Sequence, residues 1–134
     1  MTDNKEPELN PYDNEARERW GNTQFYQQSQ KRVKALGEDG LGEVIRKSQE
    51  LIQKIAGAMK KGKTAQSEAV QKLIDRHYNA LNAFYDPTLG LYRGLAETYI
   101  SDERFKENYE KVAVGLAQFM HDAMIYYVDT KETE

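Results

Sequence analysis

Hydrophobic residues recur every three or four positions along most of the chain, and no stretch alternates polar and apolar residues with a period of two. This pattern predicts an all-α fold. In the front part, Asn10-Pro11 is typical of an N-cap followed by proline and predicts a first helix that stops at Gly21. A second helix is predicted from Thr23 to Gly37, followed by a loop at residues 38–40.

The rest of the chain continues the same periodicity between clear turn signals. In chain order, it predicts a long helix over residues 41–59, a helix capped by Thr64 that runs to Phe84, a turn at residues 86–90, a short helix over residues 91–100, a helix capped by Ser101 or Asp102, and a last helix whose apolar positions run from Val112 to Tyr127.

Hydrophobic residues are distributed unevenly between the two ends. Residues 1–36 contain 10 hydrophobic positions, about 28%, whereas residues 67–128 contain 32 of 62, about 52%. Ordering a residue costs roughly 1–2 kcal/mol of backbone entropy, which a segment with few apolar anchors struggles to offset. We therefore expect a marginal N-terminal segment at residues 1–37 that is partly disordered without ligand, a helical core at residues 38–128 and a frayed tail at residues 129–134.

Charge and composition exclude several classes of function. The net charge of −3 and the single short basic run at residues 60–63 disfavour nucleic acid as a direct partner. Cysteine is absent, which excludes disulfides, thiolate catalysis and thiolate zinc sites. No secretion signal or long apolar run is present, so we expect a cytoplasmic protein that does not enter a membrane.

Candidate catalytic chemistry is lacking. His77 and His121 are 44 positions apart without metal-ligand spacing, and no nucleophile motif, phosphate loop or isolated acid pair appears. We expect no enzyme activity, no metal and no cofactor, and we disfavour a haem sensor. His77 lies on the apolar face of its helix, where a core or cleft histidine with a satisfied hydrogen bond is more common than a ligand-contacting one.

Aromatic residues provide the strongest functional signal. The chain has nine tyrosines, four phenylalanines and one tryptophan in 134 residues. Aromatic residues at helical spacing more often form a core than a ligand site, but a buried tyrosine needs a partner for its hydroxyl group. Amphipathic rings around a cleft suit a large, partly polar ligand.

With these residues in place, the chain resembles the TipA-type antibiotic-recognition domain, the C-terminal sensor of MerR-family activators that respond to multiple drugs or to thiopeptides. The resemblance extends from about Tyr12 to Tyr127. It is carried by blocks in conserved order and spacing: Tyr12-x-x-Glu15-Ala16-x-x-Arg19-Trp20-Gly21-x-Thr23-x-x-Tyr26, Val70-Gln71-x-Leu73-Ile74-x-x-His77, Tyr92-x-Gly94-Leu95-Ala96-x-x-Tyr99, Asp102-x-Arg104-Phe105-x-x-x-Tyr109 and Gly115-Leu116-Ala117-x-Phe119.

The resemblance implies a globin-like helical bundle with a ligand cleft and a mobile N-terminal helical lid that orders over a bulky hydrophobic antibiotic. Carried over by position, it implies ligand-binding roles for Trp20 and Tyr26 in the lid and for cleft residues His77, Tyr92, Leu95, Tyr99, Phe105 and Tyr109. Some family members trap thiopeptides through a cysteine. Since this chain has none, its binding would be non-covalent.

The family's DNA-binding domain and dimerising coiled coil are missing from this sequence. The chain is therefore either a stand-alone drug-sequestering form or the sensor portion of a longer regulator, and DNA would be a partner only through that separate domain. Without the coiled coil, we expect a monomer. An alternative function is a protein-interaction domain that accepts a partner helix in its cleft.

Overall fold

The computed structural model describes residues 24–134, and this part of the chain contains helices and no strands. Its elements are α1 (Gln24–Lys60), α2 (Glu68–Ala80), a 3-10 helix (Leu81–Ala83), α3 (Leu89–Ser101), α4 (Glu103–Val112) and α5 (Leu116–Glu132). The all-α prediction is confirmed. The predicted helix before Gly21, its Asn10-Pro11 cap and the Thr23 cap lie outside the described residues.

Helix α1 changes direction at Gly37, where the backbone leaves helical geometry with φ 73° and ψ 179°. This combination is accessible essentially only to glycine, because a Cβ atom would collide with the backbone. The predicted loop at residues 38–40 was wrong: these residues are helical. Because the change of direction occurs at a single glycine, a longer loop between the two halves of the helix is not needed.

Helix α2 begins later than predicted. Ser67, not Thr64, is the N-cap, and its Oγ accepts a hydrogen bond from the backbone N–H of Val70 at 3.3 Å. The side-chain amide of Gln71 donates to the carbonyl oxygens of Ala65 and Ala123, at 2.8 and 3.1 Å. Gln71 thereby joins the connection between α1 and α2 to helix α5.

The third helix starts two residues before the predicted position, within the predicted turn at residues 86–90, and Thr88 caps it by accepting from the backbone N–H of Leu91. Of the two caps predicted for the fourth helix, Ser101 and Asp102, the structure has Asp102. Asp102 caps α4 by accepting from the N–H of Arg104 at 3.0 Å, and this bond and the Arg104 side chain lower the pKa of Asp102 to about 2.

The last predicted helix corresponds to the end of α4 and most of α5. Val112 is the last residue of α4, and the chain turns at Gly115, which has a φ of 90° and no side chain to cap α5. The Glu110 carboxylate takes that role by accepting from the N–H groups of Gly115 and Ala117 at 2.8 and 3.0 Å. Within the predicted tail at residues 129–134, α5 stays helical to Glu132.

The buried core is built mainly from α2, α3 and α5. Its largest fully buried side chains belong to Tyr92, Ile55, Ile74, Leu116, Met120, Met124, Val70 and Val128. No side chain between residues 24 and 50 is buried, and Leu51 is the first core residue among those described. The first half of α1 is therefore attached to the bundle through half-buried and exposed contacts alone.

Candidate functional site

A buried hydrogen bond between α2 and α3 forms the centre of the site. Nδ1 of His77 lies 2.7 Å from the hydroxyl oxygen of Tyr92, and both residues are buried. Burial lowers the pKa of His77 to about 4, because the charged imidazolium loses its hydration, so the ring is neutral at pH 7. A neutral histidine can donate through one ring nitrogen and accept through the other.

Tyr92 lies at the centre of a cluster of aromatic rings. Its ring centroid is 5.0 Å from that of Tyr78 and 5.8 Å from that of Tyr127, both in edge-to-face geometry. The hydroxyl group of Tyr127 donates to the carboxylate of Asp75 at 2.5 Å, and that of Tyr78 donates to the carbonyl oxygen of Pro87. The tyrosines thus pack through their rings while their polar ends remain bonded.

A second aromatic group extends from α3 to α4. The ring of Tyr99 lies 4.8 Å from that of Tyr109 and 6.4 Å from that of Phe105, and all three residues are half-buried. Burial raises the pKa values of Tyr99 and Tyr109, so both hydroxyl groups stay protonated at neutral pH. Neutral, half-buried phenols offer a surface that is apolar on the ring and polar at the tip.

A groove of about 550 Å³ lies between α1 and the end of α2. The α1 wall is formed by Val44, Lys47, Ser48, Glu50, Leu51 and Lys54. The opposite wall is formed by Arg76, His77, Ala80, Leu81, Ala83 and Phe84. This volume is within the range of sites for drug-sized molecules, and His77 connects the groove to the buried Tyr92 cluster.

The first half of α1 contacts the chain just beyond this groove. Arg32 donates to the carbonyl oxygen of Asn82 and pairs with Asp86, both at 2.9 Å, and the N–H of Asp86 donates to the Gln28 side chain at 2.8 Å. The ring of Phe25 meets that of Tyr85 edge to face at 5.8 Å. The polar contacts are exposed, and exposed ion pairs contribute little to stability.

The structure brings the predicted site residues into groups rather than into one wall. His77 and Tyr92 are bonded to each other, and Tyr99, Phe105 and Tyr109 form the second aromatic group. Leu95 packs against the core from a half-buried position. Tyr26 is half-buried on α1, and Trp20 lies outside the described residues.

The positive side chains of the groove, Lys47, Lys54 and Arg76, were not predicted as site residues. Helical spacing did place Leu81 and Phe84 on the same face as His77, and this was the available signal for that wall. The contribution of α1 could not be read from the pattern, because it depends on how the two helices pack.

Residues 24–134 contain no group of three or more His, Cys, Asp or Glu side chains that could hold a metal ion. No helix in that part of the chain is long and apolar enough to cross a membrane.

The helical bundle, with a groove lined by His77 between two of its helices, defines an all-α, globin-like domain of the kind that encloses a ligand between helices. Residues 12–127 match the TipAS antibiotic-recognition domain family. The chain belongs to this family.

Similar proteins agree with this assignment. The chain is 32% identical over 115 residues to the HTH-type transcriptional activators TipA of Streptomyces coelicolor and of Streptomyces lividans, covering 85% of this chain and 46% of each relative. It is also 32% identical over 122 residues to the HTH-type transcriptional activator mta of Bacillus subtilis, covering 90% of this chain and 46% of the relative. The chain therefore spans about half the length of these relatives.

A solved structure has the same fold. It is TipAS in complex with nosiheptide, from a thiopeptide antibiotic multidrug resistance system of Streptomyces lividans. The two structures superpose with a TM-score of 0.82 at 31% sequence identity, over 92% of this chain and 86% of the other.

Proposed function

We propose that this chain binds a bulky, largely apolar antibiotic non-covalently and acts as a drug sensor or drug-sequestering domain. Membership of an antibiotic-recognition family and the similarity to a relative that holds nosiheptide support the proposal. The chain has no cysteine, so a thiol adduct with the drug is chemically excluded.

The groove that His77 lines is the observation that carries this proposal. Its apolar residues provide contact area, and the imidazole provides a polar group whose orientation is fixed by Tyr92. A small number of oriented polar groups in a mainly apolar site is typical of small-molecule recognition. The half-buried rings of Tyr99, Phe105 and Tyr109 would extend the contact surface for a larger drug.

Residues 1–37 would act as the lid of this site. A macrocyclic peptide is larger than the drug-sized molecules that a 550 Å³ groove holds, so its entry requires movement of the first half of α1. That half has no buried side chain and is joined to the bundle after Gly37. Binding would then be coupled to ordering of the lid, with ligand contacts offsetting the entropy cost.

In a full-length regulator, the ordered lid would be the signal. The relatives named as transcriptional activators are about twice as long as this chain. We propose that DNA contacts belong to a separate domain, and that drug binding biases that domain because the ligand prefers one conformation of the sensor. This chain by itself would be a monomer without catalytic activity.

Titration with nosiheptide tests the proposal. Trp20 is the only tryptophan, so its fluorescence reports on the N-terminal segment without interference. We expect saturable binding, a Trp20 spectral change and slower proteolysis within residues 1–37. Tyr92→Phe should weaken binding, whereas the matched control Tyr126→Phe, at a side chain that is 40% exposed, should not. No binding of nosiheptide or of any other hydrophobic macrocycle would refute the proposed function.

A further inference from the structure

The groove between α1 and α2 is lined by more positive than negative side chains, although the chain as a whole is negatively charged. Its walls contain three cationic side chains and one carboxylate, although the chain has a net charge of −3. The carboxylate, Glu50, is already bonded to Arg46 on the same helix. Lys47 lies 4.0 Å from Glu43. Within residues 24–134, Lys54 and Arg76 have no ion pair.

Lys54 and Arg76 lie at the same end of the groove. Each is the lining residue nearest in sequence to the connection at residues 61–67 that joins the two helices. Both side chains are exposed and therefore screened by salt, but at low ionic strength neighbouring charges of one sign reinforce each other and attract a counter-charged ligand. This end of the groove is therefore suited to a negative group.

His77 adds an oriented polar group. In the described part of the chain every buried side-chain nitrogen and oxygen has a hydrogen-bond partner, and Nε2 of His77 has none, so Nε2 is not fully covered. His77 lines the groove, and Nε2 is the ring nitrogen that is not bonded to Tyr92. The residue as a whole is only 7% exposed.

The bond to Tyr92 bears on which ring nitrogen of His77 carries the hydrogen. The Tyr92 hydroxyl lies 2.7 Å from Nδ1 of His77 and 3.5 Å from the carbonyl oxygen of Ile74, to which it can also donate. We assign its hydrogen to the shorter contact, which makes Nδ1 the acceptor and leaves the hydrogen of the neutral ring on Nε2. The lining also contains Ser48 and Glu50, but Glu50 is bonded to Arg46. The donors Lys54, Arg76 and Nε2–H of His77 therefore favour an anionic acceptor.

We propose that the groove recognises an organic acid of drug size, with its carboxylate held by Lys54, Arg76 and the Nε2–H of His77. The apolar remainder of the ligand lies on Leu51 and Phe84. This inference rests on the proposed function, because it names the ligand chemistry of the same groove.

A pair of probes that differ in one group tests the inference. Pyrenebutyric acid and pyrenebutanol share a fluorescent apolar body, but only the first carries a carboxylate at neutral pH. At low ionic strength, the wild-type chain should bind the acid about ten-fold more tightly than the alcohol, the effect of one charge-assisted hydrogen bond. Equal affinities for the two probes would overturn the inference.

Charge variants locate the effect. Lys54→Gln/Arg76→Gln should bring the two probe affinities to within about two-fold of each other. The matched control is Lys72→Gln/Lys111→Gln, which removes the same charge from exposed positions that do not line the groove. An equal loss of preference in both double variants would overturn the assignment to this groove, since it would reflect net charge alone.

Competition with nosiheptide separates this inference from the proposed function. Displacement of bound pyrenebutyrate by nosiheptide would support a shared site. If nosiheptide binds and changes Trp20 fluorescence but the acid shows no preference, the inference fails and the proposed function stands. If neither nosiheptide nor any other hydrophobic macrocycle binds, the proposed function fails.

Discussion

The hydroxyl group of Tyr92 lies 2.7 Å from Nδ1 of His77, and this bond joins α3 to α2 in the interior of the bundle. The two residues are 15 positions apart, on helices separated by a 3-10 turn. Because the bond is buried, neither group can exchange its partner for water, and loss of one leaves the other unsatisfied.

Tyr92→Phe should reduce the free energy of unfolding by about 1–3 kcal/mol, because it leaves Nδ1 of a buried imidazole without its partner. The ring packing against Tyr78 and Tyr127 is retained, so the loss isolates the hydroxyl group. Urea denaturation followed by far-UV circular dichroism measures it. Tyr126→Phe should change stability by less than about 0.5 kcal/mol, and similar losses in both variants would contradict the role of the bond.

Stability should fall as the pH decreases below the unfolded-state pKa of His77. The folded-state pKa of about 4 is below the ordinary value of 6.5, so between these limits the unfolded chain takes up a proton that the folded chain does not. Each pH unit in this window should remove up to about 1.4 kcal/mol, whereas above pH 6.5 both states are neutral and this contribution is constant.

His77→Asn removes this titration while retaining a side-chain oxygen for Tyr92. Carboxylates contribute equally to both proteins, so the difference between the wild-type and variant denaturation curves isolates the histidine. That difference should shrink from pH 6.5 to pH 4. A difference independent of pH would show that the folded-state pKa of His77 is not lowered.

Gly37→Ala should detach the first half of α1. At φ 73° and ψ 179° an alanine is strained by about 1–3 kcal/mol. Apart from the adjacent backbone of its own helix, a Cβ at this position would meet no atom within 4 Å, so any effect comes from the local backbone alone. The exposed contacts of residues 24–36 are too weak to hold that strain, and we expect faster amide hydrogen exchange in this segment.

Gly42→Ala is the matched control for this variant. Gly42 is helical, and its added Cβ would also meet nothing, so alanine should stabilise α1 by up to about 1 kcal/mol. Both substitutions replace glycine with alanine, but Gly37→Ala should lower the stability of α1 and Gly42→Ala should raise it. Unchanged exchange of residues 24–36 in the Gly37 variant would count against the kink as a hinge.

Ser67→Ala should destabilise the protein by about 1 kcal/mol, because the N–H of Val70 loses its cap at the start of α2. Thr64→Ala, at the position that the sequence pattern favoured, should cost less than about 0.5 kcal/mol. Thermal unfolding of the two variants compares the positions directly. A larger loss at Thr64 would show that the helix starts where the sequence indicated.

Local chemistry explains which parts of the fold were predictable. Asp102 was one of two predicted caps, with Ser101, because a cap bonds a backbone group only two residues away. Gly37 was predicted to end a helix, and the helix changes direction there in a conformation that only glycine tolerates. Ser67 was missed because Thr64 is an equally good cap in isolation. The Gln71 contact with Ala123, 52 positions away, favours the later start and has no local signature.

The sequence by itself determined the all-α class, the break points at Gly37 and Asp102, and the low apolar content of the front segment, since each depends on residues within one or two helical turns. It also placed His77, Leu81 and Phe84 on one face. Tertiary structure alone decided that Tyr92 meets His77 and that Lys54 and Arg76 line the same groove. Those pairings depend on how helices pack against each other, and helical periodicity describes which face is apolar but not which partner covers it.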